Sequence, residues 1–295
     1  MSYARTITLT SLAMIAFASN SLLCRAALKH TGIDPASFTT IRLISGAVML
    51  SLAARMRRGA GDGGGNWRSA LALFAYAAGF SFAYVSLPAA TGALLLFGAV
   101  QATMIGHGVW AGERLRASQL VGLMLACAGL VGLLLPGLSR PPLYGAVLML
   151  GAGVAWGVYS LRGRSAGDPT KVTAGNFLRA VPIAAALSVL MWKASPDGVG
   201  FLYAAASGAL ASGIGYAIWY TALPALKAAK AATVQLSVPV IAAQGGVVFL
   251  GEQITVRLVL ASGAILGGIA LVILAKQLDK GAQDIVRADA EAGVR

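Results

Sequence analysis

Polar positions are scarce along this chain, and they come in clusters. Between the clusters run apolar stretches of about 20 residues, each long enough to cross a hydrocarbon core as a helix. Dividing the chain at the clusters predicts ten helices, at 7–28, 35–54, 68–87, 89–111, 117–136, 142–161, 172–192, 199–221, 229–250 and 257–275. Only QLDKGAQDIVRADAEAGVR, residues 277–295, is polar throughout and reads as a tail. The first apolar run follows Arg5, as a signal peptide would. It extends past signal length and contains Asn20 and Arg25, so it is read as a retained helix.

Phrases recur along the chain. YVSLPAATGA at 84–93 matches YTALPALKAA at 220–229, 136 residues later. GIDPASFTT at 32–40 matches GDPTKVT at 167–173, AGERL at 111–115 matches LGEQI at 250–254, and AGLVGLLL at 128–135 resembles GGIALVIL at 267–274. One order and nearly one spacing indicate an internal duplication. The expected units are a five-helix repeat over 1–136, a second over 142–276, and the tail over 277–295. Five is odd, so the second copy must enter the membrane upside down. Inverted repeats are a common transporter architecture, with the substrate site between the halves.

Composition and charge agree. Of 295 residues, 58% are apolar and 11% charged, where a soluble domain carries about 25% charged residues. Counted on alternate sides of the ten helices, 16 Lys and Arg lie on the side of the termini and 5 on the other, while Arg42 and Arg179 lie within helices. Basic loops stay in the cytoplasm, so both termini are expected there. The net charge of +13 is therefore topological. The lipid bilayer, and no nucleic acid, is the expected partner. Lys227 and Lys230 occur only in the second L-P phrase, which this topology puts inside.

Two five-helix repeats, an L-P turn between the third and fourth helices of each, a Gly-Glu at the end of the fourth, and AWG at 155–157 resemble the drug/metabolite transporter superfamily. The likeness covers about residues 7 to 276. It is greatest to the EamA-type branch, and within it to bacterial aromatic amino-acid exporters. FASN at 17–20 departs from the Trp-Gly more typical there. The resemblance implies an all-α inner-membrane protein with ten transmembrane helices. It also implies export of amino acids, aromatic ones included, by alternating access through a central cavity. The substrates would be amino acids or related metabolites, the working unit a monomer, and no cofactor is expected.

Candidate site residues follow from spacing. Tyr76, Phe80 and Tyr84 recur every four positions and form one stripe. A shift of 136 carries Phe80 to Tyr216 and Tyr84 to Tyr220, so two stripes can face each other. Trp156 and Tyr159 add a third group. Aromatics with hydroxyl tips can bind a flat side chain and its polar end; they can also be interfacial anchors. Asn20, Gln101, His107, Gln235 and Gln244 are costly in lipid, so each should face protein or a wet cavity. Tyr76, Phe80, Tyr84, Trp156 and Tyr159 are expected to hold the substrate side chain, with Asn20, His107 and Gln235 at its polar end. Arg42 and Arg179 can meet a carboxylate or snorkel to the surface, and the structural role is preferred.

Other classes find less support. All ten Asp and Glu lie in loops, helix ends or the tail, which disfavours tight cation binding and hence a multidrug exporter of flat aromatic compounds, the alternative reading. GRSAG at 163–167 matches G-x-S-x-G but lies in a loop, and a hydrolase would need a nearby His. No P-loop occurs. Cys24 and Cys127 lack metal-like spacing and read as buried small hydrophobes, with no metal site expected. Gly153/Gly157 and Gly263/Gly267 are GxxxG pairs suited to close helix contact, and Pro182 and Pro239 should kink their helices.

Overall fold

A backbone surrounded by hydrocarbon must satisfy its own hydrogen bonds, and a helix does so locally. The computed structural model describes residues 3–56, 64–112, 115, 117–135, 140–163, 168–191, 197–226 and 228–292, with side chains omitted at 228–230, 232 and 276–292. All regular structure among the described residues is helical, with no strand. The helices are α1 (Tyr3–His30), α2 (Pro35–Met56), α3 (Trp67–Tyr84), α4 (Ala89–Trp110), α5 (Ala117–Leu134), α6 (Leu143–Arg162) and α7 (Pro169–Leu190). Then come α8 (Gly198–Ala206), a π-helical segment (Ser207–Ile214), α9 (Gly215–Ala222), a 3-10 turn (Leu223–Ala225), α10 (Ala228–Gln235), α11 (Ser237–Leu250) and α12 (Val256–Ala292).

Among the described residues, nine helices are long and apolar enough to cross a membrane. The helix expected at 68–87 forms as α3, but it is not one of the nine. It ends at Tyr84 and spends much of its length on Ser69, Tyr76, Ser81 and Tyr84, all buried within the protein. Large apolar side chains cover the outside, including Met124, Val131, Val248, Phe249 and Leu260. A surface of that kind suits hydrocarbon and not water. The α12 backbone continues as helix through the polar tail to Ala292.

Local chemistry sets several boundaries. Asp34 accepts from the Ala36 and Ser37 amides and so caps α2, whose first residue is Pro35. Asp168 caps α7 through the Thr170 and Lys171 amides, again just before a proline. The matched D-P phrases thus do the same work in both halves: the carboxylate satisfies orphan amides, and proline needs no donor at the first helical position. Pro239 cannot donate to Gln235, four residues earlier, and the ninth predicted helix is interrupted there, between α10 and α11.

Helix pairings recur when the halves are exchanged. Helix α3 packs on α6 as α9 packs on α1; α4 packs on α6 as α11 packs on α1. The pairs α2–α7 and α5–α12 map onto themselves. The glycine seams need one correction. Gly153 and Gly157 do seat α6 on α4, where an added Cβ would lie 2.6 Å from the Leu96 carbonyl and 2.7 Å from Thr103. Gly263 and Gly267 instead have open space beside them, and α5 and α12 meet at Gly122 and Gly268. Cys24 is buried as expected, whereas Cys127 is exposed on α5.

Candidate functional site

A cavity of about 730 Å³ lies between the halves, within the range of small-molecule sites. Its walls come from α1, α3, α4 and α6, the start of α7, the π segment, α9 and α10. The start of α7 was not anticipated. At one end the walls reach Asn66, Arg162, Gly163 and Pro169, at the start of α3, the end of α6 and the start of α7. Tyr76, Phe80 and Asn20 line it deeper in.

The aromatic side chains form a continuous frame. Tyr76 and Phe80 have ring centroids 5.5 Å apart. Trp156 meets Tyr76 at 4.7 Å and stacks on Tyr159 at 5.2 Å and on Tyr216 at 5.4 Å. It thereby joins the stripe on α3 to the stripe on α9, where Tyr216 and Tyr220 lie 6.4 Å apart. Phe17, within the atypical FASN phrase, packs on Tyr216 at 5.6 Å and Trp219 at 6.0 Å.

Hydroxyl and amide groups hold this frame. The Asn20 amide donates to the Tyr76 hydroxyl at 3.2 Å, and Ser207 donates to the Asn20 carbonyl oxygen at 2.6 Å. Ser207 opens the π segment, which lies so close to α2 that a Cβ at Gly208 would clash with the Arg42 carbonyl. Such segments often occur at functional sites. Nearer the mouth, Asn176 donates to the Tyr159 hydroxyl at 3.3 Å, and Thr173 and Tyr220 share a bond of 3.1 Å. Arg162 donates to Ser69 at 3.2 Å and to Asn66 at 3.3 Å.

The opposite end is latched. Arg25 pairs with Glu252 at 3.2 Å and donates to the carbonyls of Tyr84 and Val85, at the end of α3. The other Glu252 oxygen accepts the Ala89 amide at 2.7 Å and so caps α4. One ion pair therefore ties α1, the α3–α4 turn and the end of α11 together.

The expected site residues divide. Asn20, Tyr76, Phe80, Trp156, Tyr159 and Gln235 line the cavity, as does Gln101. Tyr84 does not: it is fully buried beyond the cavity, donates to the Ala89 carbonyl at 3.3 Å, and abuts Gly92. His107 is exposed in the last turn of α4 and is absent from the lining, and Gln244 is also exposed. Both lie on helix faces that no neighbouring helix covers among the described residues. Arg179 donates to the Gly64 and Gly175 carbonyls, a structural role. Arg42 does not snorkel but is fully buried, because α3 and the π segment cover that face of α2. Glu113, Arg114, Lys227 and residues 164–167 of GRSAG lie outside the described residues, as does the Lys230 side chain. No group of three or more His, Cys, Asp or Glu among the described residues could hold a metal ion. Phe17, Thr173, Asn176, Tyr216, Trp219 and Tyr220 also line the cavity. Of these, only Tyr216 and Tyr220 had a signal in the sequence, through the 136-residue shift.

The EamA-like transporter family matches this chain twice, over residues 4–135 and 143–274. The uncharacterised protein PA1977 of Pseudomonas aeruginosa is 58% identical over 282 residues, covering 95% of this chain and 98% of that one. The threonine/homoserine exporter RhtA of Escherichia coli K12 is 36% identical over 162 residues, covering 51% of this chain and 53% of its own. The match therefore spans about half the exporter's length. A solved crystal structure shares the fold with a TM-score of 0.66 at 23% identity, covering 93% of this chain and 99% of that chain.

Proposed function

Because this chain belongs to the EamA-like transporter family, a family of the drug/metabolite transporter superfamily, and is a multi-pass membrane protein, we propose that it exports amino acids, including aromatic ones, across the bacterial inner membrane. The observation that carries this reading is the cavity between the two halves, lined by aromatic rings and hydroxyls and latched at one end by Arg25 and Glu252. Similarity to threonine/homoserine exporters over 162 residues supports amino acids as the substrate class. The stacked Trp156, Tyr159 and Tyr216 support aromatic side chains among them.

In this reading α3 counts as a tenth span, the five-helix repeats are inverted, and both termini are cytoplasmic. The end bearing Asn66 and Arg162 then faces the cytoplasm, and the Arg25–Glu252 end faces outward. The molecule is open inward, and alternating access requires the latch to part as the other end closes. Asn20, Tyr76, Phe80, Trp156, Tyr159 and Gln235 contact the substrate.

A second reading, export of flat aromatic drugs, is favoured by the same stack of rings. Liposomes containing only this protein separate the two. Flux of phenylalanine, tryptophan, threonine and a flat organic cation is followed with and without a pH gradient. Amino-acid flux is expected. Cation flux without amino-acid flux would replace the first reading by the second.

A further inference from the structure

Arg42 is the largest fully buried side chain described in this protein. Its Nη2 donates to the Tyr76 hydroxyl at 2.9 Å. Its guanidinium carbon lies 4.8 Å from the Phe80 ring centroid and 5.1 Å from that of Tyr76. Its Nε and Nη1 are buried without a hydrogen-bond partner. Among the described residues no carboxylate faces it, since Glu252 is taken by Arg25. Contact with two ring faces and one hydroxyl offsets only part of the cost of burying a charge. An arginine is not neutralised under such conditions. The deep end of the cavity therefore carries a net positive charge one hydroxyl away from its wall.

The atoms between that charge and the cavity are oriented as donors. The Tyr76 oxygen accepts from Arg42 and from Asn20, which occupies its two lone pairs. Its own proton remains to be given, and a guanidinium on the oxygen makes that proton a stronger donor. Asn20 uses one amide hydrogen on Tyr76 and keeps the second. Tyr76 and Asn20 both line the cavity.

We propose that this end of the cavity is a carboxylate subsite, with Arg42 supplying the charge and Tyr76 and Asn20 the contacts. The subsite rests on the reading of the cavity as a substrate site and refines it. The substrate acid lies against Tyr76, and its side chain extends along Trp156. The same uncompensated charge repels organic cations from that end of the cavity.

The test uses the purified full-length protein and its tryptophan fluorescence, titrated with phenylalanine, 3-phenylpropionate and phenylalaninol. The last differs from phenylalanine only in having an alcohol for the acid. Phenylalanine and 3-phenylpropionate should bind roughly tenfold or more tightly than phenylalaninol, the scale of one hydrogen bond to a charged group. Tyr76→Phe keeps the ring and should abolish most of that preference, weakening phenylalanine and 3-phenylpropionate far more than phenylalaninol. Arg42→Gln should do the same. If that variant does not fold, Tyr76→Phe decides alone. Equal binding of phenylalaninol and phenylalanine, no carboxylate binding, or an undiminished preference in Tyr76→Phe would each overturn the subsite. Liposome flux is read separately. Amino-acid flux without acid selectivity overturns the subsite and leaves the transport reading standing. Acid-selective binding without flux does the reverse.

Discussion

Arg25 and Glu252, 227 positions apart, form an ion pair of 3.2 Å that joins the first half of the chain to the second. The Glu252 carboxylate also caps α4 at Ala89, so one side chain holds both a latch and a helix start. Glu252→Gln keeps an acceptor for the cap but removes the charge. It should cost about 1.5–3 kcal/mol, the range for hydrogen bonds to charged groups, and lower the melting temperature in detergent. A cysteine placed at Phe17, in a background lacking Cys24 and Cys127, should then react faster with a reagent added from the Glu252 side. Unchanged labelling would mean that the pair does not keep that end shut.

Among the described residues, Trp156 is the one ring that touches both aromatic stripes. Trp156→Ala removes stacked partners worth about 0.5–1.5 kcal/mol each beyond area burial. Initial uptake rates should fall roughly tenfold or more for phenylalanine and tryptophan, and less for threonine. Equal losses for all three would assign Trp156 to structure and not to side-chain recognition.

The two GxxxG pairs should respond oppositely to alanine. Gly153→Ala places a methyl group 2.6 Å from the Leu96 carbonyl and should destabilise by about 1–3 kcal/mol. Gly267→Ala meets open space and should be neutral or stabilising by up to about 1 kcal/mol. Thermal unfolding of both variants checks this, and similar melting points would refute the α4–α6 seam as a tight contact.

Asp197, outside the spans, accepts from the amides of Gly200, Gly32 and Val199, which hold its carboxyl below the usual aspartate value. A depressed carboxyl adds stability above its unfolded value, about 3.9, and loses it as pH falls through the folded one. The stability difference between the protein and Asp197→Asn should therefore be flat from about pH 5 to 8 and shrink below about pH 4. A difference that grew on acidification would contradict these bonds.

Orientation is open to a direct check. A reporter fused after Gly64 should lie in the cytoplasm, and one inserted near Ser139 in the periplasm. An external Gly64 would remove the inverted-repeat reading.

Much of the helical framework was legible along the chain, because its causes are local. Asp34–Pro35 and Asp168–Pro169 start α2 and α7 through bonds made within three residues. The stripe of Tyr76 and Phe80 follows from helical spacing alone, and Tyr216 from the length of the duplication. The Arg42 environment was not legible, since its depth depends on α3 and the π segment closing over α2. Tyr84 and His107 show the same limit. One continues a stripe that leaves the cavity, and the other is a polar residue whose helix face no neighbour covers.

The sequence by itself determined that this chain is a duplicated set of apolar helices, since apolar runs, basic loops and repeated phrases are properties of neighbours along the backbone. Only the tertiary structure decided which aromatics meet at Trp156, that Arg25 reaches Glu252, and that Arg42 is buried with no described carboxylate beside it. Those relations join residues tens to hundreds of positions apart. Their energies depend on what surrounds each group once the helices have packed, and no local pattern encodes that.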